Sequence, residues 1–136
     1  MGRRHTILLV LALVAVVLMA CNSSAKASDL DAAQIARGRA LYVQTCQQCH
    51  GDAATGTGRI PQAPPHSTAG HTWHHADGQI VDLVQGKLQY PGRIMPVFPN
   101  YSKQEVLDIL AYLKSNWPQE QRDFQAEASR NWDEQH

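Results

Sequence analysis

Cys46-Gln47-Gln48-Cys49-His50 is the stretch on which the reading of the whole chain turns. Two thiols two residues apart, near the end of a helix, can each add to a vinyl group of one porphyrin, and the imidazole that follows reaches the iron from one axial side. This is the spacing of c-type haem attachment. Two rivals use the same pair. A zinc site wants a second Cys or Cys/His pair, and of the chain's three cysteines only Cys21 remains, far upstream in the leader region. A thioredoxin-like redox pair wants a βαβ context, whereas the residues before Cys46 have a helical pattern. One covalent haem c, held by Cys46, Cys49 and His50, is the expectation.

Upstream, Ile35, Gly38, Leu41 and Tyr42 share one face of a helix predicted over residues 31–46, with Asp31-x-x-Gln34 resembling a capping box at its start. Further back, Arg3 and Arg4 precede an unbroken apolar run from Ile7 to Met19, followed by Ala20. Ile7 to Ala20 supplies 14 residues, short of the roughly 20 that a bilayer-spanning helix needs, so residues 1–20 read as an export signal. Leu18-Met19-Ala20-Cys21 resembles a bacterial lipobox, in which only cysteine serves, and this makes Cys21 the expected lipidation site. Otherwise Cys21 would be an unpaired thiol in an oxidising compartment. Residues 21–28 are small and polar, as a lipidated flexible tether should be. The expected location is outside the cytoplasm, in the periplasm or on the outer face of the cytoplasmic membrane.

Downstream, residues 51–75 are rich in Gly, Pro, Thr and His and have no clean period, which predicts loop. A short second helix is expected over 76–85, with Gly86 at its stop. Pro91, Pro96 and Pro99 predict a stiff, extended segment from Tyr90 to Asn100. The third helix starts at the capping box Ser102-x-x-Glu105 and carries the stripe Val106, Ile109, Leu110, Leu113 and Trp117 up to Pro118. Residues 118–136 form a polar acidic tail of net charge −3, either a polar helix over 119–130 or disordered. Met95 is the last of three methionines and the only one outside residues 1–20, which makes it the expected second axial ligand, 45 residues beyond His50. Without residues 1–20 the chain has 10 basic and 12 acidic residues, net −2, and no signature of nucleic-acid binding.

Beyond the haem motif, Gly38 followed by Tyr42, the segment Leu110-Ala111-Tyr112-Leu113, and Ala63-Pro64-Pro65 together resemble the small bacterial monohaem cytochromes c over about residues 30–117. The resemblance implies an all-α, cytochrome c-like fold of three main helices around one covalently bound haem, in a domain spanning 29–117. It implies that Gly38 and Tyr42 pack against Tyr112, and that the Pro64 carbonyl accepts a hydrogen bond from His50. It also implies a non-enzymatic one-electron carrier, served by membrane redox complexes or a terminal oxidase or reductase. Where that family commonly has leucine after its prolines, this chain has His66. His66, His71, His74 and His75, with Trp73, admit three readings: a second metal site for copper or zinc, contacts to the haem propionates, or solvated loop. Arg59, Lys87 and Arg93 are either partner-orienting charges around the haem edge or ordinary surface charge. The alternative functions are metal handling through the His66–His75 loop and a sensor or peroxidase-like protein with an open iron position.

Overall fold

The computed structural model describes residues 30–136, so the expected export signal over 1–20, Cys21 and the expected tether up to residue 28 lie outside the described residues. The described chain is all-α. Asp31 caps the first helix, α1 (Ala32–Leu41), by accepting from the Ala33 N–H at 3.0 Å. This is a single cap rather than the reciprocal box that Gln34 suggested. The helix does not end at residue 46. It passes through a π-helical turn (Tyr42–Cys46), in which the Gln47 N–H reaches back five residues to the Tyr42 carbonyl, into a last turn, α2 (Gln47–His50). A π turn adds one residue to the helical register, a device that recurs at functional sites, and here it immediately precedes the haem motif.

Loop follows from Gly51, broken only by a 3₁₀ turn (Thr72–His74). The second main helix, α3 (Asp77–Gln85), stops at Gly86, whose φ of 79° is left-handed backbone that glycine adopts without strain. The third, α4 (Lys103–Lys114), has the reciprocal capping box at Ser102 and Glu105 that the sequence predicts. α1 crosses α4 at Gly38, where a Cβ would lie 1.8 Å from the Asp108 carbonyl oxygen, so only glycine permits this approach. Beside the crossing, Arg37 donates to Asp108 at 2.8 Å and holds that carboxyl below its ordinary range. Tyr42 and Tyr112 pack at the same junction, ring centroids 5.5 Å apart. Tyr42, Val81, Val106, Leu110, Leu113 and Trp117 form the buried core, each large apolar side chain contributing about 1.5–3 kcal/mol by leaving water.

One segment differs from what its composition suggested, and a second takes one of its two expected forms. Tyr90–Asn100 is not extended: it turns at Pro91-Gly92 and again at Pro99-Asn100, with the Arg93 N–H closing the first turn on the Tyr90 carbonyl at 3.1 Å. Proline fixes its own φ, and that angle suits turns as well as extended chain. The acidic tail, left open between helix and disorder, is a helix, α5 (Gln119–Asp133), packed against α3 and the 3₁₀ turn. Its anchors are polar as much as apolar. Gln125 is fully buried and donates to the His75 carbonyl at 3.2 Å. The Ser129 hydroxyl accepts the Asp77 N–H at 3.0 Å, capping α3 where Ala76 has no side-chain acceptor. Lys114 of α4 pairs with Asp77 at 2.6 Å, so three helices meet at the start of α3.

Candidate functional site

A cavity of about 640 Å³ carries Cys46, Cys49, His50 and Met95 on its walls, within the roughly 300–1,000 Å³ typical of ligand sites. The first three come from the helix end, and Met95 comes from the proline-rich turn segment. The His50 imidazole is fixed: its Nδ1–H donates to the Pro64 carbonyl at 2.8 Å, which leaves the Nε2 lone pair for a metal. Tyr42 sets the turn after the motif by donating its hydroxyl to the Gly51 carbonyl at 2.9 Å. Burial, with the adjacent Cys49, pushes the Cys46 thiol up to about 11, so it stays protonated at neutral pH. Neither cysteine is in a disulfide.

The rest of the wall divides by chemistry. Ile80, Leu83, Val106, Ile109, Leu110 and Leu113 make it apolar on the helix side. One corner is polar: His75 Nδ1 meets Gln79 Oε1 at 3.2 Å, the Gln79 amide donates to the Tyr90 hydroxyl at 2.9 Å, and His71 stands beside His75 at 5.6 Å between ring centroids. A flat apolar macrocycle with two carboxylates fits these walls. Two thiols, one oriented imidazole and one thioether are the donor set that a covalently held haem iron requires. A cytochrome c family model matches residues 35–117, the span that builds this cavity.

The chain belongs to the cytochrome c family. No curated protein and no solved structure matches it. As a c-type cytochrome it binds haem c covalently through Cys46 and Cys49 of the Cys-x-x-Cys-His motif, and its general business is electron transfer with redox partners.

In this cytochrome the histidine run divides: His66, His71 and His75 line the cavity and His74 does not. Among the described residues no group of three or more His, Cys, Asp or Glu side chains is placed to hold a metal ion. His66 is buried, stacked on His50 at 4.2 Å between ring centroids, with its Nδ1 2.7 Å from the Thr72 hydroxyl. Burial, then the neighbouring His50 and His71, lower its pKa to about 3, so it is neutral. His74 lies on Trp73 and Phe124, away from the cavity, and the Trp73 N–H donates to the Gly70 carbonyl at 2.9 Å. Of the residues read as propionate contacts, only His66, His71 and His75 line the cavity.

Among the loop cations, Arg93 is not a free surface charge. It donates to the carbonyls of Met95 and Leu83 at 2.7 Å, of Pro96 at 2.9 Å and of Leu88 at 3.3 Å. The sequence held a sign of this, because no acidic residue occurs between Asp82 and Glu105 and an arginine there must find other acceptors. Gln79 and Tyr90 were missed for a different reason: neither belongs to a motif, and only the fold brings them together.

Proposed function

We propose that this cytochrome is an exported, lipid-tethered, non-enzymatic one-electron carrier whose haem iron takes His50 and Met95 as its axial pair. The observation that carries the reading is that Met95, the only methionine beyond residue 20, lines the same cavity as Cys46, Cys49 and His50. Bound haem supplies a one-electron iron couple, and thioether ligation raises its potential. The chain supplies what makes that couple usable. The Pro64 carbonyl holds His50 in one tautomer and orientation, and the α3 and α4 side chains keep water from that side. Ile60 and Ile94, at 38% and 60% exposure, place apolar surface at the mouth of the cavity, where a membrane redox complex or a terminal oxidase or reductase would exchange the electron. The export signal over 1–20 and the lipobox cysteine Cys21 support attachment to the outer face of a membrane, with residues 22–28 reaching roughly 15 Å from it.

The test is one preparation of the holoprotein and its Met95→Ala variant. The parent should partition with membranes and show the weak far-red charge-transfer band of a thioether on ferric iron. Met95→Ala should lose that band and lower the midpoint potential. A variant with the parent's ferric spectrum and potential would overturn the axial assignment. A parent that stays in the soluble fraction with its residues 1–20 removed and no lipid on Cys21 would overturn the tether.

A further inference from the structure

We infer that Arg93 is the positioning residue for Met95: its guanidinium ties the segment that carries the thioether to the end of α3 and so holds the sulfur in place at the iron. The inference rests on reading Met95 as an axial ligand, and it concerns how that ligand is kept on.

The need arises from composition. Pro91, Pro96 and Pro99 have no backbone N–H, so the segment offers more carbonyl acceptors than it has donors to satisfy them. A guanidinium presents five N–H donors in a rigid fork. Arg93 spends Nε on the Met95 carbonyl and one terminal nitrogen on the Pro96 carbonyl, while the other reaches the carbonyls of Leu83, in α3, and Leu88, just beyond it. Its donors are therefore divided between the two sides of the loop. Among the described residues no carboxylate pairs with Arg93, in contrast to Lys87, which lies 3.6 Å from Asp82 with 65% of its side chain exposed. Two other ties run between the same segments: the Phe98 N–H donates to the Val84 carbonyl at 2.8 Å, and the Gln79 amide of α3 donates to the Tyr90 hydroxyl at 2.9 Å. The first lies three residues past Met95 and fixes the far end of the loop. The second holds a side chain five residues before Met95, and the turn closed by the Arg93 N–H on Tyr90 ties the loop only to itself. Removing the guanidinium leaves Met95 and Pro96 with no bond to the helix and leaves the loop free to swing the sulfur away from the iron.

Imidazole binding to the ferric holoprotein measures this, because imidazole must displace the thioether to bind. Parent, R93Q, R93K and K87Q are compared by imidazole titration, by the intensity of the thioether band and by denaturant unfolding. R93Q should bind imidazole about tenfold more tightly than the parent, equivalent to about 1.4 kcal/mol, and show a weaker thioether band. R93K keeps the charge but lacks the fork, so it should lie between the two; should R93Q fail to accumulate, R93K carries the comparison with the parent. K87Q should match the parent. Parental imidazole affinity in R93Q, or in R93K where R93Q does not accumulate, would overturn the inference even if the denaturation midpoint fell, since that pattern is general destabilisation. An equal shift in K87Q would overturn it too, by assigning the effect to net charge. Failure of the underlying reading looks different: the parent itself would lack the thioether band, or Met95→Ala would leave it unchanged.

Discussion

A methyl group at position 38 would lie 1.8 Å from the carbonyl oxygen of Asp108 and 2.3 Å from its carbon, both backbone atoms of the facing helix. In an exposed helix interior, alanine is more favourable than glycine by about 0.8–1.0 kcal/mol. At this position the contact decides the sign, because neither partner is a side chain that can turn aside, and α1 and α4 would have to separate. Separation loosens the Arg37–Asp108 pair and the packing of Tyr42 on Tyr112 at the same junction. Overpacking with a backbone shift costs about 1–3 kcal/mol or more, so Gly38→Ala should destabilise the holoprotein by about 2 kcal/mol, read as a lower midpoint of denaturant unfolding. A midpoint equal to or above the parent's would mean that the two helices do not approach this closely. His66 shows the same dependence on neighbours from the other side. Its sequence position says only that a polar residue follows two prolines, whereas its stacking on His50 and the loss of its charge come from three segments that the fold assembles.

α4 and α3 were legible because their ends are written locally, in Ser102 with Glu105 and in Gly86, and because their apolar residues recur at helical spacing. The continuation of α1 to His50 was not, since the π turn shifts the register in which the apolar residues are counted. α5 was legible only as one of two alternatives, for a deeper reason. A helix is recognised in sequence by an apolar stripe, and this one docks through Gln121, Gln125, Ser129 and Trp132, whose partners are backbone groups at Thr68, His75 and Asp77 and the bare backbone of Gly78. Each such hydrogen bond has a net worth of about 0.5–1.5 kcal/mol. Ending the chain after Pro118 removes all of them, uncaps α3 and uncovers Trp73. The truncated protein should therefore lose about 2–4 kcal/mol of stability in denaturant titration and still attach haem with the parent's spectrum, because no residue of α5 lines the cavity. An altered ferric spectrum in the truncated protein would show that α5 acts on the haem site and not only on stability.

At the scale of the whole molecule, the cavity lies where the helices should meet, so the haem is the centre of the core as well as the redox group. Val106, Ile109, Leu110 and Leu113 of α4 and Ile80 and Leu83 of α3 line it together with the attachment helix. An open cleft of about 640 Å³ among these side chains leaves them without packing partners on that side, and a whole domain is stable by only roughly 5–15 kcal/mol. The native contacts that do not involve haem are chiefly α1 on α4 and α5 on α3, and they do not cover that cleft. The described chain should thus be unable to hold its tertiary structure without haem, although short helices such as α4, with its reciprocal cap, will persist in part. A Cys46→Ser, Cys49→Ser double variant produced without haem tests this by circular dichroism and denaturant titration. The expected result is reduced helical signal and no cooperative transition. Native-like helicity with a sharp transition would show instead that Tyr42, Leu110, Trp117 and their neighbours suffice as a core, and that the haem occupies a site the protein can build alone.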